Sequence, residues 1–320
     1  MVKKSFETPI LLLIWRRPEK TKKIITAISK IKPKYLYIAG DGARKNNKEE
    51  EKKVNETRNV IKKSINWNCE TKFLFSDDNK GCKRGVITGI NWFFKNVENG
   101  IIIEDDCLPH INFFYFCSEL LDFYKDDQRV WSIGGNNFQD GKIRSAGSYY
   151  FSRYTHSWGW ATWKRCWEKY DADLKNWPRF KKSGLLKTII EEPSELKYWQ
   201  DIWDKLYFLN EPDTWDYQWQ LTCLMNGGLI IEPNQNLVEN IGFDGEATHT
   251  KRGKSPAKIN LQTLNQSPVF PIIHQPFLIR SKEADMYTSK KLFSGPKLLS
   301  FKGIIRLLKK ITKFFVFKFK

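Results

Sequence analysis

The sequence predicts an α/β fold, a mostly parallel sheet with helices on its faces. Two observations lead there: short apolar runs alternate with helical stretches from residue 9 to residue 133, and acidic residues follow directly after several of those runs. At 320 residues, 41% hydrophobic and 15% aromatic, the chain is long enough for one large α/β domain or two small ones with a sizeable buried core. Disorder is not the expected reading of that composition.

Each element has its own signal. Pro9 to Trp15 is a continuous apolar run bounded by Pro18, as a strand buried on both faces requires, and Glu19 to Ile31 repeats apolar residues at helical spacing. Tyr35 to Ala39 reads as a second strand ending at Gly40-Asp41-Gly42, and the charged stretch from Asn47 to Lys63 as a solvated helix. Phe73 to Ser76 is the third strand. Gly81 to Asn96 is the third helix, with Val86, Ile90 and Phe93/Phe94 on one face. Ile101 to Ile103 runs straight into Glu104-Asp105-Asp106; Ile111 to Tyr124 is helical and Val130 to Ile133 is a fifth strand. Right-handed βαβ crossovers then place ligands beyond the carboxyl ends of the strands, where Asp41, Asp77/Asp78 and Glu104 to Asp106 all fall. Beyond Gly134 the alternation is irregular. An aromatic-rich half, Tyr149 to Trp219, precedes a last β-like run at Leu229 to Glu232, and no internal repeat occurs.

Charge and cysteine usage narrow the class further. The formal charge of +18 is concentrated at the end: no acidic residue follows Asp285, while ten Lys and Arg lie between Lys290 and Lys320. From Leu298 onward, Phe301, Ile304, Ile305, Leu308, Ile311 and Phe315 share one helical face, opposite Lys302, Arg306, Lys309, Lys310 and Lys313. This basic amphipathic helix is expected to lie on an anionic membrane surface; docking on the catalytic domain is the alternative, and no nucleic-acid fold accompanies it. The six cysteines form no CxxC pair and read as reduced packing residues. The run Ile10 to Trp15 is too short for a signal-peptide core, and no run reaches the roughly 18 apolar residues of a membrane span. The expected location is cytoplasmic, peripheral on the cytoplasmic face of the membrane.

The acidic triplet needs a physical reason, since two carboxylates about 4 Å apart repel by roughly 4 kcal/mol at an effective dielectric near 20. A bound hard divalent cation removes that penalty with one or two carboxylates, leaving positions for phosphate oxygens. A solvated loop or helix cap is the alternative. One βα unit earlier, Asn79-Lys80-Gly81-Cys82-Lys83-Arg84-Gly85 opens a helix whose N-terminus and basic residues suit an anion. Asp41 is placed to accept from a base or ribose, although an Asp-Gly turn also has a purely structural use.

Ile102-Ile103-Glu104-Asp105-Asp106, followed by Pro109 and Phe113 to Phe116, resembles the metal-binding segment of the N-acetylglucosaminyltransferase I family and its bacterial relatives in the GT-A superfamily. The resemblance covers residues 8–250, through Val130 to Ile133, Gly135-Asn136-Asn137, Ser157-Trp158-Gly159-Trp160-Ala161-Thr162-Trp163 and Thr214-Trp215-Asp216-Tyr217-Gln218-Trp219. It implies a GT-A catalytic domain over 1–280, with a nucleotide-sugar half (1–135) and an acceptor half (136–280), ahead of the basic tail at 285–320. It further implies that Asp106 ligates Mn²⁺ or Mg²⁺, that Glu104 and Asp105 face the ribose and donor sugar, and that Asp41 lies against the base. Arg16 or Arg84 would approach the nucleotide, and Asp216 would be the catalytic base of an inverting transfer. The family has a second acid after the first in the Trp-Asp element; here Tyr217 stands there, so Asp213 remains a reserve base.

The reaction so implied moves a sugar from a nucleotide-diphosphate donor, a UDP-sugar being favoured, to a glycan or lipid-linked glycan. The competing readings are a nucleotidyltransferase making a sugar nucleotide and a catalytically silent membrane- or glycan-binding module. The first typically wants a glycine-rich loop where this chain has Trp15-Arg16-Arg17-Pro18. Trp158, Trp160 and Trp163 either stack on an acceptor sugar or fill the core. His249 reads as a lone surface residue, with a metal or nucleotide contact left open.

Overall fold

The computed structural model describes residues 6–243, 259 and 269–293. His249 and the basic stretch from Leu298 onward lie outside these residues. The elements run β1 (Ile10–Ile14), α1 (Pro18–Ser29), β2 (Tyr35–Gly40), α2 (Lys48–Ser64), β3 (Glu70–Phe75), α3 (Gly81–Phe94), β4 (Asn99–Glu104), β5 (Cys107–Pro109), α4 (Ile111–Phe123) and β6 (Val130–Gly134). Then come β7 (Tyr149–Ser152), β8 (Trp160–Trp163), α5 (Lys164–Trp167), α6 (Trp177–Ser183), α7 (Leu186–Ile189), α8 (Pro193–Leu209), α9 (Asp216–Met225), β9 (Leu229–Pro233), β10 (Val238–Asn240) and α10 (Lys282–Thr288), with a π-helical turn at Ser289–Phe293.

Eight strands form one sheet in the order β3-β2-β1-β4-β8-β6-β9-β7. Neighbours from β3 to β4 are parallel, as are β6 and β9, while β8 runs antiparallel between β4 and β6 and β7 closes the edge antiparallel to β9. The fold is thus the expected α/β class. All five residues of β1 are buried, as are Ile101, Ile102 and Ile103 of β4, matching their unbroken apolar runs. Helix α2 survives an almost wholly polar sequence because its ends are well specified. Asn47 accepts from the Glu50 N–H (3.0 Å), Glu49 to Glu51 fill the first turn, and Lys62 and Lys63 the last.

Two differences from the sequence reading have clear causes. The strand expected at Phe73 to Ser76 runs Glu70–Phe75: as an edge strand it leaves Glu70, Phe73 and Lys72 largely open, and its polar half carries no apolar signal. Strands β7 and β8 were hidden in the aromatic half. Trp160 and Trp163 of β8 are buried and fill the core, and Trp160 stacks on Trp215 at 5.4 Å while packing on Trp219 and Trp167. Trp158 keeps partial exposure and meets Phe138 and Phe243 edge-on.

Packing divides the described residues into two compact units. The first holds, of the described residues, 6–172, 212–243, 259 and 269–284 and contains the sheet. The second holds 173–211 and 285–293. In it Trp177, Trp199 and Trp203 pack ring on ring, Phe293 lies 4.8 Å from Trp199, and the Ser289 hydroxyl donates to buried Glu195 (2.5 Å).

Candidate active site

The parallel registers set Ile14 beside Gly40, Gly40 beside Phe75 and Leu13 beside Glu104, so the chain leaves β1, β2, β3 and β4 along one edge of the sheet. A cleft of about 420 Å³ opens there, lined by Leu13 to Trp15, Arg17, Asp41, Leu74 to Ser76, Asn79 to Cys82, Glu104, Asp105 and Asp213 among others. This is where open parallel sheets bind ligands. Arg58 clamps the rim, donating from Nη2 to the carbonyls of Asp41 (3.3 Å) and Ser76 (2.5 Å).

The acidic triplet lies at the cleft wall, and its three members have different surroundings. Asp105 is buried; its Oδ2 accepts from the Trp15 N–H (2.9 Å) and its Oδ1 from Arg17 Nη1 (2.8 Å). The same Arg17 nitrogen donates to Asp106 Oδ2 (2.8 Å), so one guanidinium bridges two carboxylates. Burial works against the charge on Arg17, but Asp105, Asp106 and Glu104 outweigh it and hold the guanidinium above its usual range. Glu104 has no such partner: no hydrogen bond reaches its carboxyl among the described residues. Burial, then Asp106, Asp105 and Asp216, push it from 4.5 to about 8, with Arg17 opposing. Asp105 is also raised, chiefly by burial, with Arg17 opposing.

Asp106 is the hinge to a small second sheet, where β5 pairs antiparallel with β10 and Asn240 lies opposite Cys107. The Ile241 N–H donates to the Asp106 carbonyl (2.8 Å), and a β-carbon at Gly242 would lie 2.5 Å from Asp106 Oδ2. The acid and the chain after β10 thus approach more closely than any side chain at 242 permits.

Asp216 stands at the first position of α9, within electrostatic reach of Glu104. Its Oδ1 accepts from the Thr214 hydroxyl and from the Tyr217 N–H (3.0 Å), while Oδ2 accepts nothing among the described residues. The reserve base is differently placed. Asp213 Oδ2 accepts from the Cys82 N–H (2.9 Å) and Oδ1 from the Lys83 N–H (3.1 Å), so both oxygens cap the N-terminus of α3. Asp41 serves the same end: it accepts from Lys80 N–H and Gly81 N–H, from Asn79 Nδ2 and from Gly42 N–H. Burial raises its pKa, against the lowering by these amides.

Of the residues singled out in the sequence, Asp41, Glu104 and Asp105 line the cleft, and Asp106 and Asp216 flank it through Arg17 and Glu104. Arg16 and Arg84 are not among the lining residues. Arg16 pairs with buried Glu50 (2.6 Å) and lies over the Trp15 ring (4.3 Å); Arg84 is exposed. The neighbour of Arg16, Arg17, escaped the sequence reading although it is the side chain that bridges the acids. Its signal was present, since a basic pair directly after the first buried strand falls at the same sheet edge as the triplet.

All six cysteines are free, and Cys82 lines the cleft with its thiol held above the usual range by burial and by Glu104, Asp213 and Asp216. No three side chains among the described residues form a metal cluster. The donor set still fits a hard divalent cation that takes one or two carboxylates from the protein and the rest from phosphate and water. Asp106, the residue expected to ligate the ion, and Glu104 would supply the oxygens available to it.

No family model and no curated protein matches the sequence. Among solved structures, UDP-glucose pyrophosphorylase complexed with UDP-glucose is 10% identical over 71% of this chain and 90% of its own, with a TM-score of 0.38. The apo form of UDP-glucose pyrophosphorylase gives 10%, 73%, 93% and 0.35. The 4-diphosphocytidyl-2C-methyl-D-erythritol synthase of Anaerococcus prevotii gives 10%, 52%, 77% and 0.31. At TM-scores below 0.5 these likenesses carry neither fold nor activity over to this chain.

Proposed function

We propose that the chain is a nucleotide-sugar-dependent glycosyltransferase that transfers with inversion, using Asp216 as base and a divalent cation, Mn²⁺ or Mg²⁺, held by Asp106. The observation that carries the reading is a carboxylate with a free oxygen, Asp216, within electrostatic reach of Glu104, which lines a 420 Å³ cleft without a hydrogen bond to its carboxyl. The ordered resemblance to the N-acetylglucosaminyltransferase I family supports it from the sequence side and favours a UDP-sugar.

The cleft takes the nucleoside between the ends of β1, β2 and β4. Asp41 shapes its wall by fixing Lys80 and Gly81, Asp105 fixes Trp15, and Arg17 holds Asp105 and Asp106 in register. When bound, the cation neutralises the charge that grows on the departing diphosphate. The acceptor hydroxyl oxygen bonds to the anomeric carbon as the carbon–oxygen bond to the diphosphate breaks. Its proton passes to Asp216 Oδ2, and the broken bond's electron pair leaves with the nucleoside diphosphate. Thr214 and the Tyr217 N–H, both on Oδ1, keep Oδ2 turned away from the backbone. A glycan or lipid-linked glycan is the proposed acceptor, and the basic tail the proposed attachment to an anionic membrane. No described helix is long and apolar enough to cross a membrane.

A thermal-shift panel of nucleotide sugars and nucleoside diphosphates, with and without Mn²⁺ or Mg²⁺, tests the reading. A ligand at about 100 times its dissociation constant stabilises by roughly 2.7 kcal/mol. The expected result is a shift that needs both metal and one nucleotide and disappears in Asp106→Ala. No shift with any nucleotide would favour the silent module instead.

A further inference from the structure

The N-terminus of α3 was expected to receive an anion, and in the structure that anion is the chain's own Asp213, 130 residues away. Both carboxylate oxygens are committed, Oδ2 to the Cys82 N–H and Oδ1 to the Lys83 N–H. Gly81 makes the approach feasible: it sits at φ +82°, and a β-carbon there would meet Asp213 Oδ2 at 2.9 Å.

The residues after Asp213 are each held from a different direction. The Thr214 hydroxyl donates to Asp216 Oδ1, and its carbonyl accepts from Gln218 Nε2 (2.8 Å). Trp215 stacks on Trp160 of β8, and its carbonyl accepts from the Tyr170 hydroxyl (3.0 Å). Asp213 therefore ties the donor-side helix to a short, internally bonded segment that ends in the Asp216 carboxylate. We propose that Asp213 is a positioning residue: by fastening residues 213–216 to the N-terminus of α3 it sets Asp216 beside Glu104 and the donor cleft. Its catalytic consequence rests on the transferase reading, whereas the clamp itself does not.

The clamp competes with the simpler use of this helix end, since Asp213 already occupies the Cys82 and Lys83 amides. A diphosphate on the same amides would have to displace Asp213, and removing the carboxylate would then tighten nucleotide binding. Positioning predicts the opposite pattern, in which binding stays and turnover goes.

The test compares the full chain with Asp213→Ala and Asp213→Asn by hydrogen exchange, by calorimetric binding of UDP with Mn²⁺, and by turnover of the UDP-sugar found in the panel above. In Asp213→Ala, peptides covering 214–219 are expected to exchange about tenfold faster, while β1 and β4 peptides are unchanged. Turnover should fall about a hundredfold, the cost of a reacting group displaced by an ångström or so. Donor KM and Mn²⁺–UDP affinity should stay within about twofold, the pattern of an interaction felt at the transition state alone. Asp213→Asn should recover part of both losses, since its amide oxygen accepts one of the two bonds; it also serves if the alanine variant fails to fold. Unchanged exchange at 214–219 in both variants overturns the clamp. Tighter Mn²⁺–UDP binding, by about tenfold or more, overturns positioning in favour of a carboxylate that competes with phosphate. If the wild type binds no nucleotide, the transferase reading fails while the exchange data still decide the clamp.

Discussion

The acidic wall of the cleft has two sides that differ in one respect, a direct ion pair to a cation. On one side Arg17 bridges Asp105 and Asp106 at 2.8 Å each; on the other, Glu104 is within electrostatic reach of Asp216, and Arg17 opposes its rise without a hydrogen bond or ion pair to it among the described residues. The paired side is a structural fixture, two carboxylates tied to one guanidinium. The unpaired side stores electrostatic strain that a proton or a metal ion relieves, and so it is the side where chemistry is expected.

Breaking the unpaired side should give the largest effect. Asp216→Asn removes the proposed base and should lower turnover by about 10² to 10⁴-fold with donor affinity kept, measured by steady-state kinetics against Mn²⁺–UDP binding. Breaking the paired side should cost stability. Arg17→Met leaves two carboxylates without their partner and should destabilise by about 3 to 5 kcal/mol in denaturant unfolding, with added Mn²⁺ restoring part of the loss.

A pH titration sharpens the comparison. The folded pKa of Glu104 is raised, to about 8 from 4.5, so its contribution to stability is fully present below about 4.5 and is lost as pH rises through about 8. The metal-free protein should therefore melt at lower temperature with each step from pH 4.5 to 8, and divalent ions should bind more tightly over the same range as they displace the proton. Glu104→Gln should flatten this slope; a slope that persists would remove Glu104 from the unpaired side. The smallest effect is expected at Arg84, which is exposed and outside the cleft lining. Arg84→Ala should leave Mn²⁺–UDP affinity within about twofold, as for other surface substitutions.

How far the sequence reached depended on what each residue answers to. Strands β1, β2 and β4 were legible because βαβ units bury their strands on both faces, and Ile10–Ile14 and Ile101 to Ile103 show that burial as unbroken apolar runs. The edge strand β3 was legible at its apolar end alone. Strand β8 was not legible at all: its Trp160-Ala161-Thr162-Trp163 carries a tryptophan motif that suits a sugar platform as well as a core, and the sheet had to be seen for the choice to fall on the core.

The candidate site divides in the same way. Asp41, Glu104 and Asp105 were found because a strand's carboxyl end is a local address, readable from a hydrophobic run and the polar residue after it. That logic also supplied the fold class and the position of the acidic triplet, which the sequence determined unaided. Which carboxylates are capped, bridged or left free was settled by tertiary contacts between residues far apart in the chain, 130 positions for Asp213 with Lys83 and 88 for Arg17 with Asp105. Hydrogen bonds of that span depend on where the sheet brings strand ends together, and no local pattern of side chains encodes that distance.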